Sequence, residues 1–146
     1  MSMFCYQCQE TAKGTGCTLR GVCGKTENVA NLQNLLVYTL KGIALIAQKG
    51  LKVGIKFPKA DHFTMDGLFM TITNVNFDDA VFIEKIKEGL ALREEMKGEL
   101  RNKGVVFNEM HDAAIWTADS DSEIQAKAKS AEVSILATKN EDIRSL

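Results

Sequence analysis

From Thr26 onward, apolar residues recur at steps of three and four. Val29, Leu32, Leu36, Leu40, Ile43 and Ala47 fall on one side of a helix. With Thr26 as N-cap and Gly50 as terminator, this spacing predicts a helix over about 27–49. A second helix is predicted near 61–73, where Met65, Leu68, Ile72 and Val75 share a face and Asp61 or Thr64 supplies the cap. A third is predicted over about 78–102, with Asn76 before it and Gly104 after it. Its stripe runs Phe82, Ile86, Leu90 and then Leu92, Met96, Leu100, so the two halves are out of phase by about half a turn. A bend or a change of partner near Gly89 accounts for that shift.

Beyond the third helix the pattern weakens. Residues 103–119 read as a connection that buries Trp116, the only tryptophan. A short helix is predicted over 121–130, capped by Asp119, Ser120 or Asp121. The apolar run Val133-Ser134-Ile135-Leu136 is too short to separate extended from helical backbone. Strand-like alternation is scarce and proline occurs once, at Pro58. The predicted fold is all-α, a three-helix bundle behind an N-terminal cysteine-rich loop.

Composition narrows the function classes. With 146 residues and 45% apolar content, the chain can bury one core without covalent cross-links. A net charge of −1 with no basic block argues against nucleic acid as a partner. No apolar run reaches about eighteen residues, which argues against a membrane span. The first residues lack a basic patch followed by an apolar run, so no secretory signal is expected and the cytoplasm is the expected compartment.

The cysteines carry the chemistry. Cys5, Cys8, Cys17 and Cys23 are spaced C-x2-C-x8-C-x5-C, and no cysteine follows them. Local disulfides fit poorly, because small disulfide-dependent domains spread their bridges across the fold. A thioredoxin-like C-x-x-C needs a preceding strand, and Cys5 has four residues before it. A four-thiolate metal site remains. Structural zinc prefers two C-x2-4-C pairs, and Cys17-x5-Cys23 is wider than that. An iron–sulfur cluster accepts more varied loops, because its ligands bind different irons. Gly14, Gly16, Gly21 and Gly24 let the backbone turn tightly, so their own N–H groups are expected to point at sulfur, and Lys13, Arg20 and Lys25 add positive charge. On the residues alone, iron–sulfur is favoured and zinc stays open.

The segment Met3–Lys25, MFCYQCQETAKGTGCTLRGVCGK, resembles the N-terminus of the hybrid cluster protein family, the hydroxylamine reductases. Further stretches resemble it too: Asn31–Leu36, Leu40–Ala44, Thr71–Asp78 and Thr138–Leu146. The cysteine spacing agrees with the shorter of the family's two patterns, which implies a 4Fe–4S cube held by Cys5, Cys8, Cys17 and Cys23. The implied whole-family reaction is reduction of hydroxylamine to ammonia and water, with nitric oxide as another proposed substrate. Family members are several times longer, and their catalytic hybrid cluster is held by histidine, glutamate and further cysteines, mostly in later domains. Nothing here matches those positions.

The resemblance therefore implies an electron-transfer part of such an enzyme, with no catalytic residues of its own and no turnover in isolation. Its implied partners are a redox donor protein and the downstream domains. A second copy of the chain is a further expected partner, through the face those domains normally cover. The competing reading is a zinc-stabilised or metal-free helical interaction domain.

The expected division is 1–25 for the cluster loop, 26–138 for the helical bundle packed with it, and 139–146 for the start of a second bundle. Lys25–Leu32 and Lys139–Leu146 both read K-x-E-x-(V/I)-x-x-L, which matches that division, though capping chemistry alone favours such patterns. Other residues take plain readings. His62 and His111 lack ligand spacing and are expected to be structural or superficial. Glu84, Glu88, Glu94, Glu95 and Glu99 are expected to form a solvated helix face. Gly24-Lys25-Thr26 resembles the end of a P-loop, but Leu19 stands where the required glycine belongs.

Overall fold

In a computed structural model, the chain is described over residues 2–73, 77–140, 142 and 143. Among these residues the fold is all-helical, with one isolated β-bridge. The helices are α1 (Glu27–Lys52), α2 (Pro58–Ile72), α3 (Asp79–Asn102), α4 (Asp112–Ile115) and α5 (Asp121–Ala128).

Helix α1 is the centre of the molecule and packs against each of the others. Thr26 caps it as predicted, its hydroxyl accepting the N–H of Val29 at 3.2 Å. The predicted stripe Val29, Leu32, Leu36, Leu40 and Ile43 is buried, and so are Leu35, Tyr38, Thr39 and Ile46. A helix buried on several sides reads as very apolar. By length and composition α1 is apolar enough to cross a membrane, yet 72% of that apolar window is buried inside the fold. That is the behaviour of a core helix. Gly50 does not end α1. A Cβ there would lie 2.6 Å from the Phe57 ring, so this glycine admits the returning chain. The helix stops two residues later, and Gly54 turns the chain at φ +78.

Helix α2 begins three residues earlier than predicted, because Pro58 occupies its first turn with the fixed φ a helix start needs. Asp61 is inside that first turn, and no side chain caps the helix. Its buried side is Ala60, Gly67 and Thr71, while Met65, Leu68, Phe69 and Ile72 are exposed. Val75 and Asn76 lie outside the described residues.

Helix α3 is one unbroken helix, capped by the Asp78 carboxylate on the N–H of Ala80 at 2.9 Å. Both half-stripes are buried. The phase shift comes from a change of neighbour. Gly89 sits against Thr39 of α1 and the ring of Phe63 of α2. One turn on, the fully buried Arg93 donates to the carbonyls of Ala113 at 2.8 Å and Trp116 at 2.6 Å. Glu94 differs from its expected solvated role, since it accepts from two buried cations, Arg93 at 2.9 Å and Lys97 at 2.8 Å.

The 103–119 connection contains α4, which the sequence pattern did not reveal. Trp116 is half-buried, and the residues that fill the core there are Ala113 and Ala114. Small side chains let the α4 backbone press onto Gly42 of α1. His111 is structural: its Nδ1 accepts the N–H of Ala113 at 3.0 Å and starts α4. The Tyr38 hydroxyl donates to Asp112 at 2.7 Å, and Lys127 of α5 donates to the same oxygen at 2.7 Å. Ser120 caps α5 by accepting the N–H of Glu123 at 3.3 Å. Ile135–Ala137 form a single 3-10 turn.

Candidate metal centre

The cysteine loop is built around one backbone pairing. Cys5 donates its N–H to the carbonyl of Cys17 at 3.0 Å, and Cys17 returns the bond at 2.9 Å. Residues paired directly across an antiparallel bridge carry their side chains on the same face, so the first and third cysteines stand side by side. Gly16, at φ +125, makes the approach to Cys17, and a Cβ there would lie 2.5 Å from the ring of Phe4. Met3, Cys17 and Ala30 form a small apolar cluster with Cys5 and Ala12 against it, which docks the loop on α1.

Donors surround the two paired sulfurs. The Cys17 sulfur accepts the N–H of Ala12 at 3.4 Å and lies 3.7 Å from the Thr11 hydroxyl. Burial pushes the Cys17 thiol up, but the N–H groups of Ala12 and Val22, the Thr11 hydroxyl and the Lys25 charge together bring it below its ordinary value. Lys25 is 3% exposed, and its Nζ lies 3.5 Å from Cys5 Sγ and 2.9 Å from Gln7 Oε1. Of the three cations expected nearby, this is the one that reaches a sulfur. Arg20 instead donates to the carbonyl of Gly24 at 3.3 Å, and Lys13 is exposed at a left-handed φ of +56.

Cys8 and Cys23 are exposed, Cys5 is half-buried and Cys17 is buried. The turn 21–24 lies close to the paired cysteines, since the Val22 N–H reaches Cys17 and Cys23 Sγ folds back over Gly21. Among the described residues, no group of three or more His, Cys, Asp or Glu side chains is gathered tightly enough for a single metal ion. Cys5 also lines a cavity of about 440 Å³, shared with Gln7, Gln33, Asn34 and Thr71. The loop is thus not packed shut around Cys5.

The donor set suits an iron–sulfur group. Thiolate and sulfide are anionic sulfur, and this loop offers them amide N–H groups, a hydroxyl and a buried ammonium. Sequence reasoning singled out the four cysteines, the glycines and Lys25, but the N–H groups of Gly14, Gly16, Gly21 and Gly24 go to backbone carbonyls and not to sulfur. It missed Thr11, Ala12, Gln7 and Thr71. The first two carry no ligand signature, and the Gln7–Thr71 bond at 3.2 Å joins residues 64 apart.

The family model described as Prismane/CO dehydrogenase family matches residues 3–146. The chain is 58% identical over its full length to a hydroxylamine reductase of Desulfitobacterium hafniense strain Y51, covering 26% of that protein. It is 57% identical over its full length to one of Thermoanaerobacter pseudethanolicus, again covering 26%. Over 99% of its length it is 54% identical to one of Parabacteroides distasonis, also covering 26%. The chain thus spans about a quarter of the length of the curated relatives it matches.

Proposed function

This chain belongs to the Prismane/CO dehydrogenase family, and from that membership we propose that it is the electron-transfer iron–sulfur part of a hydroxylamine reductase. The observation that carries the reading is the four-cysteine loop in which N–H donors and a buried ammonium converge on cysteine sulfur. Cys5, Cys8, Cys17 and Cys23 would hold the group, a 4Fe–4S cube. When bound, a cube with four thiolate ligands supplies one-electron transfer and leaves no iron open to substrate.

The chain's own residues do the rest. The Cys5–Cys17 bridge fixes two ligands on the helical core. Met3, Phe4 and Ala30 exclude water from the Cys17 side, which strengthens every electrostatic contact there. Cys8 and Cys23 stay at the surface, the side from which a donor protein approaches.

Within the same proposal, residues 1–25 and 26–138 act as one unit, the first three-helix bundle with its loop, in a cytoplasmic enzyme. Residues 139–146, of which 141 and 144–146 lie outside the described residues, would open a second bundle. Asn140 supports this, since its side chain accepts the N–H groups of Asp142 at 2.9 Å and Ile143 at 3.2 Å, at the position Thr26 holds before α1. Reduction of hydroxylamine belongs, in this reading, to the further domains of the whole protein. The exposed stripe Met65, Leu68, Phe69 and Ile72 is the face we assign to those domains, or to a second copy when the chain is alone.

The test is anaerobic preparation of the 146-residue chain with iron, sulfide and zinc analysis, and an EPR spectrum after dithionite reduction. About four irons and four sulfides per chain with a reduced-cube signal are expected, and no hydroxylamine turnover with a chemical donor. One zinc and no sulfide would overturn the redox reading, and robust turnover would overturn the division of labour.

A further inference from the structure

We infer that Lys25 is the positioning residue that sets the reduction potential of this site, by holding a fixed, buried positive charge against the Cys5 sulfur. The inference rests on the iron–sulfur reading above. Its starting point is an electrostatic imbalance. Lys25 is 3% exposed, and among the described residues no ion pair joins it to a carboxylate. A buried ammonium is costly unless an anion or several good acceptors replace its water. Its contacts are the side-chain oxygen of Gln7 and the sulfur of Cys5, so Cys5 is the group that completes the charge balance when it is a thiolate on iron.

The ammonium is held in place from three directions. Its backbone is fixed by the N-cap of α1 one residue on, and by the Gly21 N–H, which donates to the Lys25 carbonyl at 2.8 Å. Gly21 also leaves room for the lysine stem, since a Cβ there would lie 2.9 Å from Lys25 Cβ and 3.0 Å from Cys23 Sγ. At the far end Gln7 orients the charge. Its oxygen accepts from Lys25, and its amide donates to the buried hydroxyl of Thr71 on α2, which in turn donates to the Leu68 carbonyl at 2.8 Å. The lysine is therefore ordered by elements far apart in the chain, as a residue fitted to a site is.

The consequence follows from charge alone. One-electron reduction adds one negative charge to the thiolate-bound group, and a neighbouring cation favours the more negative form. Lys25 thus raises the potential. Burial keeps the effect from being screened by salt, unlike that of a surface lysine.

The experiment compares wild-type chain, K25M and K25R after anaerobic reconstitution with iron and sulfide. Iron and sulfide per chain are measured first, then the midpoint potential by EPR-monitored titration at low and high salt. K25M is expected to load as wild type does and to be reduced at a more negative potential at both salts, with K25R close to wild type. Equal potentials in K25M and wild type overturn the inference, as does a shift that vanishes at high salt. If K25M does not load, a K25R that loads at the wild-type potential supports the charge. A K25R that also fails shows that Lys25 acts by shape, and the inference falls. A wild-type chain that takes up no iron and sulfide overturns the iron–sulfur reading itself, a result distinct from all of these.

Discussion

At the residue scale, Gly42 shows how closely the helical core is fitted. A Cβ at this position would run into the backbone carbonyl of Ala113, and backbone cannot rotate away as a side chain can. We expect G42A to push α4 off α1 and to cost about 1–3 kcal/mol, the usual range for overpacking. Gly98, on α3, has nothing within 4 Å of its would-be Cβ. G98A should then be neutral or stabilising by up to about 1 kcal/mol, since alanine is the better helix former. Urea denaturation of the pair checks both signs, and a neutral G42A would mean that α4 does not rest there. These two glycines look alike in sequence, because close approach is a property of the partner segment, and Ala113 is 71 positions away from Gly42. The glycines of the cysteine loop were legible for a local reason: they interrupt a run of cysteines, and Gly16 and Gly24 do take positive φ. Lys25 was legible only as nearby charge. Its burial, and its link through Gln7 to Thr71, are products of folding.

At the element scale, Arg93 fastens the segment that follows α3. It is fully buried, and it holds the carbonyls of Ala113 and Trp116 at the two ends of α4. A four-residue helix cannot stand by its own backbone bonds, so its position depends on such anchors. R93M keeps the length of the side chain but leaves two carbonyls without this donor and Glu94 with Lys97 alone. It is expected to cost about 3 kcal/mol, in line with loss of one partner from a buried charged network. E94Q should cost clearly less, because Arg93 keeps both carbonyls. Hydrogen exchange at Ala114 and Trp116, whose amides donate to His111 and Asp112, should quicken in R93M well before the α1 amides do. A uniform quickening would mean that α4 unfolds only with the whole core.

The same region shows where periodicity stops being readable. The stripes of α1 and α3 were plain because each helix is long and packs chiefly against the other, which repeats the buried positions over several turns. α4 was hidden because it is one turn long and buries alanines, and α2 was misjudged at its start because Pro58 reads equally well as a break or as a first turn. The four cysteines and the family they point to were readable from spacing and resemblance; the Thr11 and Ala12 donors at the Cys17 sulfur were not.

At the scale of the whole molecule, one hydrogen-bonded network joins α1, α4 and α5, and it makes stability depend on pH. Lys127 and the Tyr38 hydroxyl hold the Asp112 carboxyl below its usual range. Lys97 and Arg93 do the same for Glu94 against the opposing effect of burial. A carboxyl depressed in the folded state stabilises it above its unfolded value, near pH 4, and that contribution is lost as pH falls through the folded value. Burial and the Asp112 charge push Tyr38 up. Lys127 also lies above its ordinary value, because Asp112 and Glu132 outweigh its burial. Groups raised in the folded state contribute fully below their unfolded values, near pH 10, and lose that contribution as pH rises through the folded ones. The network is therefore at full strength between about pH 5 and pH 9. Asp112 is common to both limbs, as the depressed acid of one and the cause of the raised groups in the other. D112N is then expected to lower stability most in that window and to flatten both limbs of the pH profile. Thermal unfolding of wild type and D112N from pH 3 to pH 10.5 measures this. An unchanged acid limb would mean that Glu94 alone carries it, while a parallel drop at every pH would mean that Asp112 acts through its hydrogen bonds and not its charge. Among the described residues Asp112 bonds to Tyr38 and Lys127 and to no residue of the cysteine loop, so D112N should leave iron and sulfide uptake at pH 7 as in the wild type. That separates the stability of the helical frame from the chemistry it supports.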